Sequence, residues 1–156
     1  MPTFHYQFTV DAPQSAVAAF HYGASVKTLT PPPIIAQLHY HEPVAEGSKS
    51  NFTLWFGLLP MHWKVVHSDV DQSGFTDTQI RGPLQRWRHR HNFIAQDDGT
   101  TLVSEHIEYE YRSGLAGLLS RLIFSRPALT MLFTMRQLIT RRLVRDYLPA
   151  TDPASG

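Results

Sequence analysis

The sequence predicts an α+β fold in which a curved antiparallel sheet of seven strands surrounds one long C-terminal helix. Three observations lead to this prediction. The chain has 156 residues, a length that fits a single domain. Seven runs with the period of a strand, separated by turn residues, occupy most of the chain up to Arg112. From Ser113 onward the apolar residues recur with the period of a helix.

The first strand and the first helix follow from residues 4–22. Apolar residues alternate with polar ones at Phe4, Tyr6, Phe8 and Val10, which is typical of a half-buried strand. Asp11 is expected to cap a short helix from about Ala12 to Tyr22. The run Thr30-Pro31-Pro32-Pro33 prevents any continuation of this helix.

Six further strands are predicted in meander order. They span Ile34–His41, Lys49–Leu59, His62–Val70, Phe75–Arg81, Leu84–Gln96 and Thr100–Arg112. We place one turn at Leu59-Pro60-Met61 and another at Asp97-Asp98-Gly99, where Gly99 would adopt a left-handed conformation.

The C-terminal region is predicted to form two helical segments. Leu115, Leu118, Leu119 and Leu122 have helical spacing, and Pro127 should begin or kink the next helix. The inward stripe of that helix is predicted to comprise Leu132, Met135, Leu138, Ile139, Leu143 and Tyr147, and its arginines, Arg136, Arg141, Arg142 and Arg145, to lie mainly on the other side. Space between this helix and the sheet would form an apolar pocket.

The composition excludes several classes of function. The absence of cysteine rules out a disulfide scaffold, a thiolate metal site and a cysteine nucleophile. A net charge of +1 argues against a nucleic-acid binder. The sequence has no Gly-x-Ser-x-Gly elbow, which argues against a serine nucleophile. It also has no phosphate loop or dinucleotide fingerprint, so we expect no cofactor. The nine histidines are the one unusual feature of the composition.

The last predicted hairpin places several polar residues on an aromatic face. A three-residue turn pairs His91 with Glu105 and Trp87 with Tyr109, whereas a shift by one residue would set aromatic against polar positions. The resulting inward face carries Trp87, His89, His91, Phe93, Val103, Glu105, Ile107, Tyr109 and Tyr111. Asp77 on the preceding strand faces either Arg88 or His89, depending on the turn at Gly82-Pro83.

At this point the sequence resembles one branch of the START-related, polyketide-cyclase/dehydrase-like (SRPBCC) superfamily of ligand-binding proteins. The similar segments are Phe75–Phe93, Thr101–Tyr109, the Gly114, Leu115 and Gly117 positions, and Arg136. Glu105 departs from the pattern, since aspartate is expected there. The resemblance implies a helix-grip fold with an internal apolar cavity, but not one function, because members include lipid carriers, cyclases, hormone receptors and partner-binding proteins.

Our first hypothesis is therefore a binding protein for a small apolar or aromatic molecule, such as a lipid, a polyketide or an isoprenoid-like compound. The ligand would lie between the sheet and the C-terminal helix. The predicted apolar wall is Trp87, Phe93, Ile107, Tyr109 and Tyr111, and the predicted orienting groups are His89, His91 and Glu105. These three polar residues could instead form a satisfied buried polar group, with His91 paired to Glu105, that only fixes the sheet register, which is the interpretation we favour for them.

Two alternatives stay open. The chain could be a cyclase or dehydratase in which His89 or His91 acts as acid–base and Glu105 orients it, although a binding protein is favoured over an enzyme. It could also be a protein-interaction module that uses the apolar hairpin tip Trp55–Trp63 or the basic helix face. His39 and His41 are predicted to share a face, but we expect no metal, since neither this pair nor the family pattern supplies three converging ligands.

The remaining expectations concern location and chain organisation. The first residues have no basic segment followed by an apolar core, so we expect no signal peptide. Because Arg121, Arg126 and Pro127 interrupt the most apolar stretch, we also expect a cytoplasmic protein without a transmembrane segment. Residues Leu115–Phe124 should pack over the cavity, and peripheral lipid contact is the alternative. We expect residues 1–149 to form one domain and residues 150–156 to be a frayed tail. The oligomeric state stays open.

Overall fold

A computed structural model describes residues 1–149 and has the predicted α+β architecture. The predicted tail, residues 150–156, lies outside the described part. The strands are β1 (Thr3–Val10), β2 (Ile35–His41), β3 (Lys49–Phe56), β4 (Leu59–Asp71), β5 (Gly74–Arg81), β6 (Arg86–Ala95) and β7 (Thr101–Glu110). The helices are α1 (Gln14–Gly23), α2 (Val26–Leu29), α3 (Gly114–Ile123) and α4 (Arg126–Leu143), followed by a short 3-10 helix (Val144–Tyr147).

The seven strands form one antiparallel sheet in the order β1-β7-β6-β5-β4-β3-β2. Strands β2 to β7 follow one another as a meander, as predicted, and β1 joins the free edge of β7. Sequential hairpins can pair in this way because each connection is short enough for neighbouring strands to reverse direction.

The predicted register of the last hairpin is confirmed. Trp87 pairs with Tyr109, and His91 pairs with Glu105. Gly99 has φ = 82°, the left-handed conformation that the turn needs and that glycine adopts without a Cβ clash. The local turn chemistry therefore fixes which residues of β6 and β7 face the interior.

Two predicted helix and turn positions are wrong. The β3–β4 turn lies at Gly57-Leu58, because Gly57 supplies the left-handed residue (φ = 65°), and Pro60 lies within β4 opposite Trp55. Asp11 does not cap α1, which begins after an extended Pro13 and has no side-chain cap. The single-turn helix α2, which was not predicted, precedes the proline run.

A β-bulge in β2 corrects the prediction that His39 and His41 share a face. The register shifts between Leu38 and Tyr40, so His39 is an extra residue in the strand. The His39 ring bonds to the Thr53 hydroxyl (Nε2–Oγ1 2.7 Å), whereas His41 bonds to Ser50 (Nδ1–Oγ 3.0 Å). The bulge thereby sends the two side chains to opposite faces of the sheet.

Helix α4 packs against β1, but with a different stripe from the predicted one. Its buried side chains are Leu129, Phe133 and Thr140, while Met135 and Leu138 are 37% and 56% exposed. Arg136, predicted to lie on the outer side, is half-buried, and its Nε donates to the Leu29 carbonyl (3.2 Å). Polar partners on neighbouring elements let polar residues occupy the inward side of the helix.

Helix α3 lies with its leucines outward, which contradicts the prediction that Leu115–Phe124 packs over the cavity. Leu115, Leu118 and Leu122 are 87%, 68% and 71% exposed. The buried residues of this helix are Gly117 and Ser120. Small residues thus contact the rest of the molecule while the apolar stripe faces away from it.

No single helix within residues 1–149 is both long and apolar enough to cross a membrane. Helix α3 and the following segment Arg126–Tyr147 pass that test only as a pair bent by 46°.

Candidate functional site

An apolar cavity of about 120 Å³ lies between strands β2–β6 and the segment that includes α1 and α2. It is lined by His21, Ala24, Val26, Leu29, His41, Val44, Ser50, Phe52, Leu54, Trp63, Val65, His67, Phe75, Asp77, Trp87, His89 and His91. Most of these side chains are apolar, and the polar ones are mainly histidines. Among the described residues the lining includes none from α4.

The cavity lies beside the C-terminal helix, and not beneath it as predicted. Leu129 and Phe133 are each 1% exposed and fill the space under α4, where Phe133 contacts the His89 ring (centroids 5.5 Å apart). The segment that covers the cavity is instead the end of α1 and the short α2. The sequence could not show this, because α2 is too short to have a detectable apolar period.

Three of the eight predicted ligand-binding residues, Trp87, His89 and His91, line the cavity. The other five are Phe93, Glu105, Ile107, Tyr109 and Tyr111, which are buried or half-buried outside the lining. Ile107 and Tyr109 belong to the aromatic and aliphatic core that includes Phe133. The predicted inner face is thus divided between the cavity, the core under α4 and a second core cluster around α1, to which Phe93 belongs.

Glu105 connects the two cavity histidines of β6. Its Oε2 lies 2.8 Å from His89 Nε2 and 2.8 Å from His91 Nδ1. All three side chains are almost completely buried. One carboxylate oxygen therefore faces both imidazole rings, whose centroids lie 3.8 Å apart and whose planes are tilted by 39° to one another.

Asp77 extends this group on the other side of His91. Its Oδ2 lies 3.2 Å from His91 Nε2, and its Oδ1 lies 3.2 Å from His67 Nε2. The register pairs Asp77 with His89, which settles the ambiguity left by the sequence. His67 Nδ1 in turn lies 2.9 Å from Ser48 Oγ. We call this series the buried polar chain: Ser48, His67, Asp77, His91, Glu105 and His89.

Burial and charge move the pKa values of the two β6 histidines in opposite directions. Burial lowers the pKa of His89 to about 4, and the neighbouring His91 adds to this effect. Burial alone would also lower the pKa of His91, but Glu105 and Asp77 outweigh it and raise that pKa to about 9. At neutral pH His91 is therefore an imidazolium and His89 a neutral imidazole.

The two carboxylates are ionised in spite of their burial. Desolvation opposes ionisation of Glu105, but the adjacent His91 and His89 hold its pKa well below the usual range. The pKa of Asp77 is lowered in the same way, chiefly by His91. The half-buried Arg136 brings a further positive charge to this region, which favours both carboxylates.

The hydrogen bond to Glu105 defines the tautomer of His89. An ionised carboxylate can only accept, so His89 must donate from Nε2. Because His89 is neutral, its Nδ1 carries a lone pair and can accept a hydrogen bond. His91, by contrast, has a carboxylate within 3.2 Å of each ring nitrogen. Of the two β6 histidines, His89 is therefore the one with an acceptor to offer a ligand.

Four further titratable residues of the cavity were not among the predicted site residues: His21, His41, His67 and Asp77. Five of the nine histidines thus line the cavity. Period-two alternation from Trp63 through Val65 would have placed His67 inward. No local signal identifies His41, because the bulge inverts the alternation of β2.

Asp77, His89 and His91 also have the donor atoms of a metal site, although the sequence predicted none. One ligand atom from each lies within 4.8 Å of the others. His91 lies between two carboxylates and holds its proton, so a metal ion would have to displace that proton. Asp77, His89 and His91 could therefore bind a divalent cation together only after His91 has lost its proton.

The hairpin tip Trp55–Trp63, predicted as an interaction surface, is largely turned inward. Met61 and Trp63 are buried, and Trp55 Nε1 donates to Gln37 Oε1 (3.0 Å). Leu58, at the turn, is 97% exposed. The apolar surface of the tip therefore reduces mainly to this one side chain.

Solved structures resemble this chain over almost its whole length. A START superfamily protein from Mycobacterium smegmatis has a TM-score of 0.66 at 8% identity, covering 92% of this chain and 97% of that one. The Zhui aromatase/cyclase from a Streptomyces species has a TM-score of 0.66 at 12% identity, covering 91% and 95%. Norcoclaurine synthase from Thalictrum flavum has a TM-score of 0.63 at 15% identity, covering 88% and 86%. No known family profile and no curated protein sequence matches the chain.

The chain has the helix-grip fold. This is the fold of the START-related, polyketide-cyclase/dehydrase-like superfamily, as the sequence resemblance implied. At such low identities the likeness extends to the fold and not to an activity.

Proposed function

We propose that this helix-grip protein binds a small, largely apolar molecule in the cavity beneath α1 and α2, with one polar group of the ligand held by His89. One observation carries the proposal: the cavity is lined mainly by apolar side chains, and it is also lined by the neutral His89, whose Nδ1 can accept a hydrogen bond. Sites of this composition take up apolar ligands and orient them by a few polar contacts.

The size of the cavity limits the ligand. Ligand sites typically enclose about 300–1,000 Å³, whereas this cavity measures about 120 Å³. A dry cavity of about 150 Å³ accepts one benzene ring. A single aromatic ring therefore fits best, and a long lipid, a polyketide or an isoprenoid chain would require α2 and the proline run after it to move outward.

The chemistry of His89 selects for a hydroxyl group. Its Nδ1 accepts a hydrogen bond, so a phenol or enol O–H is a better partner than a carbonyl. A net contribution of about 0.5–1.5 kcal/mol from one such bond corresponds to a preference of roughly twofold to tenfold.

A matched pair of ligands tests this proposal. We expect phenol to bind more tightly than toluene, which has a methyl group in place of the hydroxyl. Binding is followed by the fluorescence of Trp63 and Trp87, which both line the cavity. In a His89→Leu variant the preference should disappear, while His106→Leu on the outer face should keep it.

Two results would contradict the proposal. If neither compound changes the fluorescence or the proton NMR spectrum, the cavity is not a ligand site for such molecules. If both bind but His89→Leu keeps the preference, the polar contact comes from another residue.

Acid–base catalysis, as in a cyclase or dehydratase, is a second candidate because two contacting histidines have pKa values near 4 and 9. A proton-transfer group works best with a pKa near the operating pH, and neither ring meets that condition. This comparison favours binding over turnover. An enzyme would show a bell-shaped pH–rate profile that His91→Gln abolishes, and a binding protein would show no turnover.

A further inference from the structure

The apolar side of α3 is a continuous stripe that contacts nothing in residues 1–149 that would bury it. Leu115, Leu118, Leu119 and Leu122 are spaced i, i+3, i+4 and i+7, which places them on one side of the helix. Their exposed fractions are 87%, 68%, 37% and 71%. We call this the leucine face. Four exposed leucines on one side of a ten-residue helix are far more than scattered surface hydrophobics would give.

The orientation of α3 is fixed by its other side. A Cβ at Gly117 would lie 1.7 Å from the Arg112 carbonyl oxygen, so this position admits no side chain. Ser120 Oγ donates to the Pro83 carbonyl (3.0 Å), and Phe124 packs against Trp63 and Trp87. If the helix rotated to turn its leucines inward, leucine side chains would have to occupy the space that now fits only Gly117 and Ser120.

The charge around the leucine face has one sign. Between Glu110 and Asp146 the chain contains seven arginines and no acidic residue. Three of these arginines lie close to the leucines in the chain and are exposed: Arg112 before them, Arg121 among them and Arg126 after them. A basic rim beside an apolar stripe is complementary to a surface that is negatively charged above an apolar layer.

We propose that α3 docks on the surface of an anionic phospholipid membrane, with the leucine face among the acyl chains and the arginines at the headgroups. A second copy of the chain is a weaker occupant, because a two-fold contact would place the arginines of one face against those of the other. The proposal is independent of what the cavity binds.

Vesicle sedimentation tests this docking. We expect the protein to bind vesicles of phosphatidylcholine mixed with phosphatidylglycerol more strongly than vesicles of phosphatidylcholine alone, and added salt should weaken the binding. The double variant Leu118→Ser/Leu122→Ser should lower the partition coefficient on mixed vesicles by at least about tenfold. Both leucines are exposed, so the variant should keep the wild-type unfolding temperature.

Two further variants separate the apolar and the charged contributions. Arg121→Gln/Arg126→Gln should lower binding to the mixed vesicles by at least about tenfold and leave binding to phosphatidylcholine unchanged. Leu58→Ser, at the exposed β3–β4 turn, is the matched control and should bind like the wild type.

The proposal is overturned if the wild type does not bind the mixed vesicles or if the double leucine variant binds as tightly. It is also overturned if the wild type elutes as a dimer, fails to bind vesicles, and becomes monomeric on Leu118→Ser/Leu122→Ser. In that case a second copy of the chain covers the leucine face.

Discussion

At the scale of single residues, the main feature is one buried carboxylate shared by two histidines of different charge. Glu105 Oε2 lies 2.8 Å from nitrogens of both His89 and His91. An uncompensated buried charge is costly, so the protonated His91 and the ionised Glu105 and Asp77 stabilise one another. His89 then stays neutral because burial lowers its pKa and the positive charge on His91 lowers it further.

Replacing Glu105 by Gln tests this assignment. The variant removes the largest factor that raises the pKa of His91, so we expect that pKa to fall well below 9. Titration of the imidazole resonances by NMR measures the change. Glu108→Gln, on the outer side of the same strand, is the control and should leave the pKa of His91 unchanged. An unaltered value in Glu105→Gln would mean that Asp77 alone keeps His91 protonated.

At the scale of elements, α3 shows that an apolar stripe need not face the core. Its contact with the molecule is made by Gly117 and Ser120, and the leucines are turned outward as a result. The same principle explains α4, where Arg136 faces inward because the Leu29 carbonyl accepts its hydrogen bond. In both helices the available partners, and not the apolar period alone, decide the inward side.

Gly117→Ala should therefore destabilise the protein. In a solvent-exposed helix this substitution would stabilise by about 0.8–1.0 kcal/mol. Here the new Cβ would lie 1.7 Å from the Arg112 carbonyl oxygen, and the backbone would have to shift. We expect a net loss of about 1–3 kcal/mol in the free energy of unfolding, measured in urea.

The neighbouring exposed residue provides the control for that substitution. Ala116→Ser should change the free energy of unfolding by less than about 0.5 kcal/mol. A stabilised Gly117→Ala variant would show that the Arg112 backbone yields easily and that α3 is free to reorient.

At the scale of the whole molecule, the buried histidines make the free energy of unfolding depend on pH, with a maximum between their lowered and raised pKa values. His21 and His89 have pKa values near 4, so below about pH 6.5 the unfolded chain binds protons that the folded chain does not. Stability is therefore lost as the pH falls from 6.5 toward 4. His91 has a raised pKa of about 9, and its contribution is present below pH 6.5 and lost as the pH rises through 9.

The free energy of unfolding should consequently peak near about pH 6.5. Denaturation in urea across a pH series measures this profile. His91→Gln should lower stability throughout and remove the alkaline decline, whereas His106→Gln, on the outer face, should keep it. An alkaline decline that persists in His91→Gln would assign it to another group.

Much of the fold was predictable because the relevant signals are local. The alternation of β1 and the Asp97-Asp98-Gly99 turn depend on neighbouring residues only, and they gave the correct register for β6 and β7. The β2 bulge at His39 was not predictable, since an extra residue in a strand leaves no mark in an otherwise regular alternation. That single residue decided that His41, and not His39, lines the cavity.

By itself, the sequence determined the α+β class, the meander order of β2 to β7 and the presence of His89, His91 and Glu105 on one inward face. Tertiary structure decided that His67 and Asp77 complete the buried polar chain, that α1 and α2 cover the cavity, and that the leucines of α3 face outward. Turn chemistry and side-chain period act between residues close in the chain, so a sequence displays them. The packing of helices against the sheet depends on the space and the hydrogen-bond partners that distant segments of the chain provide. These come together only once the chain has folded.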